Sequence, residues 1–281
     1  MEKILVTGAN GQLGSELAVL AKGYPKYDWV FADRKETSLD NLELLKKQLN
    51  EIQPDIILNC GAYTAVDKAE TEKETAFTVN SLAVEVIAKY ALENKAKLIH
   101  ISTDYVFDGT SSIALDELAE TKPINVYGES KLAGEIVCLK ENPDSVILRT
   151  SWVYSKFGNN FVKTMQRLMQ ERDAISVVND QVGSPTYAAD LAQAMIIILE
   201  SENWTPGIFN YSNEGEISWY DFALSIKELG GYDCTITGIP SAAYPTPARR
   251  PEFSLLDKTK IKKIYSVKVP DFKESLKKIF I

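Results

Sequence analysis

The sequence predicts a doubly wound α/β fold: a parallel sheet with helices on both faces, followed by a smaller C-terminal substrate-binding lobe. Three observations predict it. Apolar strand-like runs alternate with helical periodicity up to about residue 150, and such alternation builds parallel sheets through right-handed crossovers. A glycine-spaced turn, Gly8-Ala9-Asn10-Gly11-Gln12-Leu13-Gly14, joins the first strand to the first helix. Polar side chains gather where strands should end, above all at Ser102-Thr103-Asp104, and open parallel sheets bind ligands beyond those ends.

Ile4-Leu5-Val6-Thr7 reads as a buried parallel strand and residues 12–22 as the first helix. Strand, glycine turn and helix form the context that a dinucleotide site requires. Glycine lets backbone approach a pyrophosphate, and the helix start supplies oriented N–H groups. The spacing here is G-x-x-G-x-x-G, which differs from the general fingerprint. Trp29–Ala32 is the second strand and delivers Asp33 and Arg34. Asp33 stands 19 positions after Gly14, near the offset of about 20 for a ribose-binding acid. A carboxylate there favours NADH, while Arg34 offers a cation to the 2′-phosphate of NADPH.

Residues 38–52 read as a helix with a capping box from Asp40 to Glu43. Asp55–Asn59 is the third strand, and its outgoing loop brings Ala62, Tyr63 and Thr64 to the ligand edge. One long helical stretch is expected over residues 66–94, with Asn80 as a polar residue among apolar neighbours. Lys97–Ile101 is the fourth strand. It carries the only histidine, His100, between isoleucines, where a hydrogen-bonded core role fits best. The pattern gives a helix over 127–140 and a strand over 145–149. Beyond it come helices near 161–172, 188–199, 219–229 and 272–279, and short strands near 175–178, 209–211 and 235–237. Residues 1–150 are expected to bind the dinucleotide and 151–281 mainly the substrate, with segments near 175–211 returning to the first part.

The bulk numbers exclude several classes. A net charge of −8 argues against a nucleic-acid binder. No apolar run is long enough for a membrane span. The N-terminus enters a strand without a basic and apolar leader. Cys60, Cys138 and Cys234 lie far apart, with no metal or disulfide spacing, so a reduced cytoplasmic setting and no metal are expected.

Tyr127 and Lys131 stand four residues apart on one helical face. A free phenol titrates near pH 10, and a neighbouring ammonium is expected to lower that value toward working pH.

The glycine turn, Ser102-Thr103-Asp104 and Tyr127-x-x-x-Lys131 together resemble the extended short-chain dehydrogenase/reductase superfamily, with its Rossmann-like fold. Longer runs narrow the resemblance to the dTDP-4-dehydrorhamnose reductases. They are Asn59–Asp67, Ser102–Gly109, Arg149–Tyr154, Gly158–Phe161 and Asp180-Gln181-x-Gly183-Ser184-Pro185-Thr186, and they span the chain. The resemblance implies a catalytic set of Thr103, Tyr127 and Lys131. It implies dinucleotide contacts from Gly8, Asn10, Gly11, Gln12, Leu13, Gly14, Asp33, Arg34, Asp40, Ala62, Tyr63, Thr64, Ser102, Tyr127 and Lys131. Substrate contacts are implied for Thr103, Asp104 and Trp152, and a diphosphate contact for Arg249 or Arg250, with Arg250 the choice. The implied reaction is NADH- or NADPH-dependent reduction of a dTDP-4-keto-6-deoxy sugar, in a possible homodimer. Two rivals share the scaffold: a nucleotide-sugar epimerase or dehydratase, and a non-catalytic regulatory subunit.

Overall fold

The structure, a computed structural model, describes residues 1–280. In chain order its first half holds β1 (Lys3–Thr7), α1 (Gln12–Leu20), β2 (Asp28–Ala32), α2 (Leu42–Ile52), β3 (Ile56–Asn59) and α3 (Val66–Ala69). α4 (Lys73–Phe77), α5 (Ala83–Asn94), β4 (Lys97–Thr103), α6 (Val126–Glu141) and β5 (Val146–Thr150) complete it. The second half adds β6 (Val153–Tyr154), α7 (Phe161–Glu171), β7 (Ala174–Val178), β8 (Val182–Gly183), β9 (Thr186–Tyr187) and α8 (Ala188–Glu200). After these come β10 (Gly207–Asn210), β11 (Ile217–Ser218), α9 (Trp219–Gly230), β12 (Thr235–Ile239), α10 (Thr259–Tyr265) and α11 (Phe272–Lys277).

Six parallel strands form the central sheet in the order β10-β5-β4-β3-β1-β2. Strand order reverses between β1 and β3, so the loops leaving those two strands part and leave a crevice. The strands are apolar on both faces because both faces are covered. On one face Leu13, Leu17, Leu191, Met195 and Ile261 pack against Ile4, Val6, Leu58 and Phe209. On the other Leu45, Leu49, Ile87 and Cys138 pack against Leu5, Ile57, Leu98 and Ile147. Each fully buried leucine or isoleucine contributes about 1.5–3 kcal/mol. A separate cluster joins α7, α9 and α11 with the β7–β12 pair through Val162, Met165, Ile175, Phe222, Ile226, Ile236, Phe272 and Leu276.

Several expectations change. Residues 66–94 are not one helix; α3, α4 and a π-helical turn over Thr78–Leu82 precede α5. Asn80 in that turn accepts from Tyr63 N at 2.8 Å and donates to Tyr63 O and Ser130 Oγ, both at 3.0 Å. The extra residue in the π turn is what lets the side chain reach both partners. α2 starts at Leu42, not residue 38, with Asn41 accepting from Leu44 N. Asp40 is drawn to Arg34 and forms no capping box. α8 and β10 return to the sheet, whereas β7 pairs with β12 away from it.

His100 is fully buried and its Nδ1 accepts from Asn59 Nδ2 at 2.9 Å, because Asn59 Oδ1 is already taken by Thr7 Oγ1 at 2.7 Å. Burial holds the imidazole well below its usual pKa, so it stays neutral. Thr7 Oγ1 in turn accepts from Gly61 N at 3.0 Å. This relay ties β1, β3 and β4 together just below their carboxyl ends.

α6 approaches the π turn through Gly134, where a Cβ would lie 2.1 Å from Asn80 O. Gly134→Ala is expected to force the two apart and to destabilise the fold by about 1–3 kcal/mol. Chemical denaturation checks this, and an unshifted midpoint would contradict the packing described.

Candidate active site

A cavity of about 1000 Å³ runs along the carboxyl ends of the central strands. Its wall passes from the Gly8–Gly14 turn and Asp33, Arg34 and Asp40, across Ala62, Tyr63 and Thr64, to Ser102, Thr103, Asp104, Tyr127, Lys131 and Trp152. The fold therefore gathers the sequence-selected residues, apart from Arg249 and Arg250, around one space.

At one end the backbone itself makes the surface. Gly8 has φ +66°, and a Cβ on it would lie 2.7 Å from Gly61 Cα. Gly11 precedes α1 and offers no side-chain cap, so the first N–H groups of the helix stay free for an anion. This cradle fits a dinucleotide pyrophosphate. Beside it Asp33 accepts from Lys35 N at 2.7 Å and Asn10 Nδ2 at 3.2 Å, which fixes its carboxylate at the rim. Arg34 is largely exposed and paired to Asp40. Gln12 spans to the second half of the chain: it donates to Val153 O at 3.3 Å and accepts from Asn160 Nδ2 at 2.9 Å.

At the centre β4 and α6 deliver the polar set. α6 starts cleanly because Asn125 accepts from Gly128 N at 2.8 Å. That start aims Tyr127 and Lys131 at the end of β4. Lys131 is buried, and its Nζ donates to Ile101 O at 2.6 Å. Burial brings its pKa down to about 8. Tyr127 is pushed up to about 12 by burial, with the Thr103 hydroxyl pulling the other way. The expected lowering of the phenol by Lys131 is not seen: burial and the Asp104 carboxylate raise it, and the Lys131 ammonium is anchored on the strand carbonyl of Ile101. The Tyr105 ring stands edge-on to Tyr127 with centroids 5.5 Å apart.

Thr103 Oγ1 donates to Asp104 Oδ1 at 3.1 Å and accepts from Tyr105 N at 3.2 Å. Asp104 is almost wholly buried and its Oδ2 has no hydrogen-bond partner. Burial pushes this carboxyl up to about 6, opposed by the hydroxyls of Ser254 and Thr103. Ser102 Oγ is likewise buried without a partner. Such orphaned polar atoms on a cavity wall suit a polar ligand.

Arg250 departs from expectation. It forks onto Asp67 at 3.0 and 2.8 Å, donates to Thr246 Oγ1 and Ala248 O, and stands outside the cavity lining. Arg249 is exposed, and its carbonyl accepts from Asn125. A half-buried carboxylate captures Arg250 because Asp67 presents two oxygens to its planar fork. Sequence reasoning also missed Ser254, a lone serine with no motif of its own.

A family model described as the RmlD substrate binding domain matches residues 1–281. The dTDP-4-dehydrorhamnose reductase of Aggregatibacter actinomycetemcomitans is 40% identical over 289 residues, covering 99% of this chain and 98% of the relative. The chain belongs to the dTDP-4-dehydrorhamnose reductase family. The reductase of Escherichia coli (strain K12) is 40% identical over 290 residues, covering 98% of this chain and 96% of its own. The solved dTDP-4-dehydrorhamnose reductase of Bacillus anthracis str. Ames, in complex with NADP, superposes with a TM-score of 0.95 at 38% identity. It covers 99% of this chain and 98% of its own. Among the described residues no helix is long and apolar enough to cross a membrane.

The Asp104 carboxyl gives this reductase-family fold a pH signature. Its folded pKa is raised above the unfolded 3.8, so its protonated form is the one folding tolerates. Stability from this group is full at low pH and falls as pH rises from about 4 to about 6. Asp104→Asn stays neutral throughout. The variant is expected to gain on the parent between pH 4 and pH 7 by up to about 3 kcal/mol. Paired denaturation curves at the two pH values check this, and a pH-independent difference would contradict it.

Proposed function

We infer that the protein reduces the C4 keto group of dTDP-4-dehydro-L-rhamnose to give dTDP-L-rhamnose, using NADH or NADPH. The observation that carries this reading is the meeting of Thr103, Tyr127 and Lys131 on one wall of a cavity whose far end is a glycine cradle. Intact acid–base groups disfavour the regulatory-subunit alternative. A dehydratase would want a carboxylate pair beside Thr103, and Asp104 is followed by Tyr105.

The Gly8–Gly14 turn and the open start of α1 would hold the dinucleotide's pyrophosphate, Asp33 a ribose, and the Ala62–Thr64 loop the middle of the molecule. Lys131 would hold the nicotinamide ribose. When bound, the reduced nicotinamide supplies the hydride. The rest falls to the protein. As the C4 carbonyl becomes an alcohol, negative charge grows on its oxygen. Tyr127 is fully protonated at neutral pH because burial holds its phenol near 12, and it donates that proton. Lys131, on the same helical face and buried, supports the phenolate left behind. Thr103 sits beside Tyr127 with its own hydrogen engaged by Asp104, so it orients the phenol while Tyr127 acts as the acid. Asp104 and Ser102 both lie on the cavity wall, where Asp104 would face the sugar and Ser102 the dinucleotide.

Asp33 weights the choice of cofactor toward NADH. NADPH needs a cation for its 2′-phosphate, and Arg34 supplies one only by leaving Asp40. Asp33→Asn should therefore raise the preference for NADPH; an unchanged NADH-to-NADPH ratio of kcat/KM would remove Asp33 from the ribose. Arg250 would reach a diphosphate only by exchanging Asp67.

The direct test is reduced-cofactor oxidation on dTDP-4-dehydrorhamnose by the parent and by Tyr127→Phe. The parent should turn over. The variant should fold normally and bind cofactor, yet lose roughly 10²–10⁴-fold in kcat. Near-parental kcat would exclude Tyr127 as the acid.

A further inference from the structure

Trp152 closes the cavity where β5 ends, and its backbone is unusual. Its φ is +47°, in the left-handed region that bulky side chains rarely adopt. Among the described residues the other non-glycine positions with positive φ are Gln53, Lys95 and Ser266, and each ends a helix, at α2, α5 and α10. Trp152 ends none. A conformation of this kind persists only where the surroundings over-determine it.

Those surroundings form a slot. On one side the indole stacks on Trp219, with ring centroids 3.7 Å apart and planes inclined by 13°. Gly183 also lies against the indole: a Cβ there would stand 3.0 Å from Trp152 Cζ2 and 3.0 Å from Ser254 Oγ. The two walls are joined. β11 pairs antiparallel with β8, so Ile217 faces Gly183 and Ser218 faces Val182. Trp219 follows at once as the first residue of α9, whose start is fixed by a capping box between Ser218 and Asp221. The slot also holds the backbone, since Trp152 O accepts from Thr186 N at 3.2 Å. Trp219 is absent from the cavity lining while Trp152 is part of it. Trp219 therefore acts on a ligand only through Trp152.

We propose that Trp219 and Gly183 are positioning residues that hold Trp152 in its left-handed conformer and so fix the indole wall against the sugar end of the substrate. This rests on the sugar-nucleotide reductase reading above. The energetic logic is one of populations. If a site binds substrate only with Trp152 in place, the apparent affinity falls in proportion to the fraction of molecules in that state. Removing the stacking partner frees the indole, and a Cβ at Gly183 crowds it at 3.0 Å; either change lowers that fraction. Cofactor affinity depends on the glycine cradle and Asp33, at the other end, and has no reason to move.

The test is a set of three variants, Trp219→Ala, Gly183→Ala and Trp219→Phe, beside the parent. KM for dTDP-4-dehydrorhamnose and Kd for NADPH are measured for each. The expected result is a rise in KM of roughly tenfold in the two alanine variants with Kd unchanged. Trp219→Phe keeps an aromatic face and should stay within about threefold of the parent. A parental KM in either soluble alanine variant overturns the proposal. So does a parallel rise in Kd, which would mark a general structural role, or a phenylalanine variant as impaired as the alanine one. If the parent itself fails to turn over this sugar nucleotide, the reductase reading fails first, and that outcome is distinct from the others.

Discussion

A lysine ammonium buried beneath α6 is the constraint on which the rest of the site depends. Lys131 has one protein acceptor, Ile101 O at 2.6 Å, and almost no contact with water. An ion in such a place is costly unless other charges answer it. One turn along the helix Glu135 is equally buried and forks onto Arg149 of β5 at 2.9 and 2.7 Å. The Arg149 guanidinium lies over the Phe107 ring, 5.1 Å from its centroid. Lys131, Glu135 and Arg149 thus form a charged spine between the helix and two strands. Breaking one member would leave its partner unpaired in a dry interior, so the helix is fixed in depth and rotation. Tyr127, four residues before Lys131, inherits that precision.

Around this spine the hydrogen bonds run between loops. Asn80 grips both backbone groups of Tyr63 and the hydroxyl of Ser130, which sits next to Lys131 in the chain. Thr7, Asn59 and His100 tie the ends of β1, β3 and β4 to Gly61. The loops after β1 and β3 and the start of α6 are therefore held by shared partners. Preorganisation of this kind lets a site stabilise developing charge without paying to rearrange itself.

The sequence made the sheet legible because parallel strands buried on both faces read as continuous apolar runs, and Ile56–Leu58 and Val146–Leu148 are such runs within β3 and β5. The shared helical face of Tyr127 and Lys131 was legible because their spacing is local. What stayed hidden depends on distant partners. The stretch between residues 66 and 94 breaks at residues 70–72, and the π turn that follows α4 coincides with what Asn80 reaches across the fold. Arg250 looked like a free cation in a proline-rich loop, yet its partner Asp67 stands 183 positions away. The raised phenol of Tyr127 reflects burial, and spacing alone cannot report a dielectric. Trp152 gives no local hint of its left-handed backbone, since Gly183 and Trp219 supply the reason.

The central claim is that the protein delivers hydride to the C4 carbon of a dTDP-linked keto sugar while Tyr127 protonates the oxygen. Nicotinamide deuterated on the transferring face at its own C4 tests this most directly. Turnover with dTDP-4-dehydrorhamnose should place one deuterium on C4 of the sugar product, read by NMR, with the hydroxyl hydrogen drawn from solvent. Deuterium at another carbon, or product formed without any label, would contradict the account.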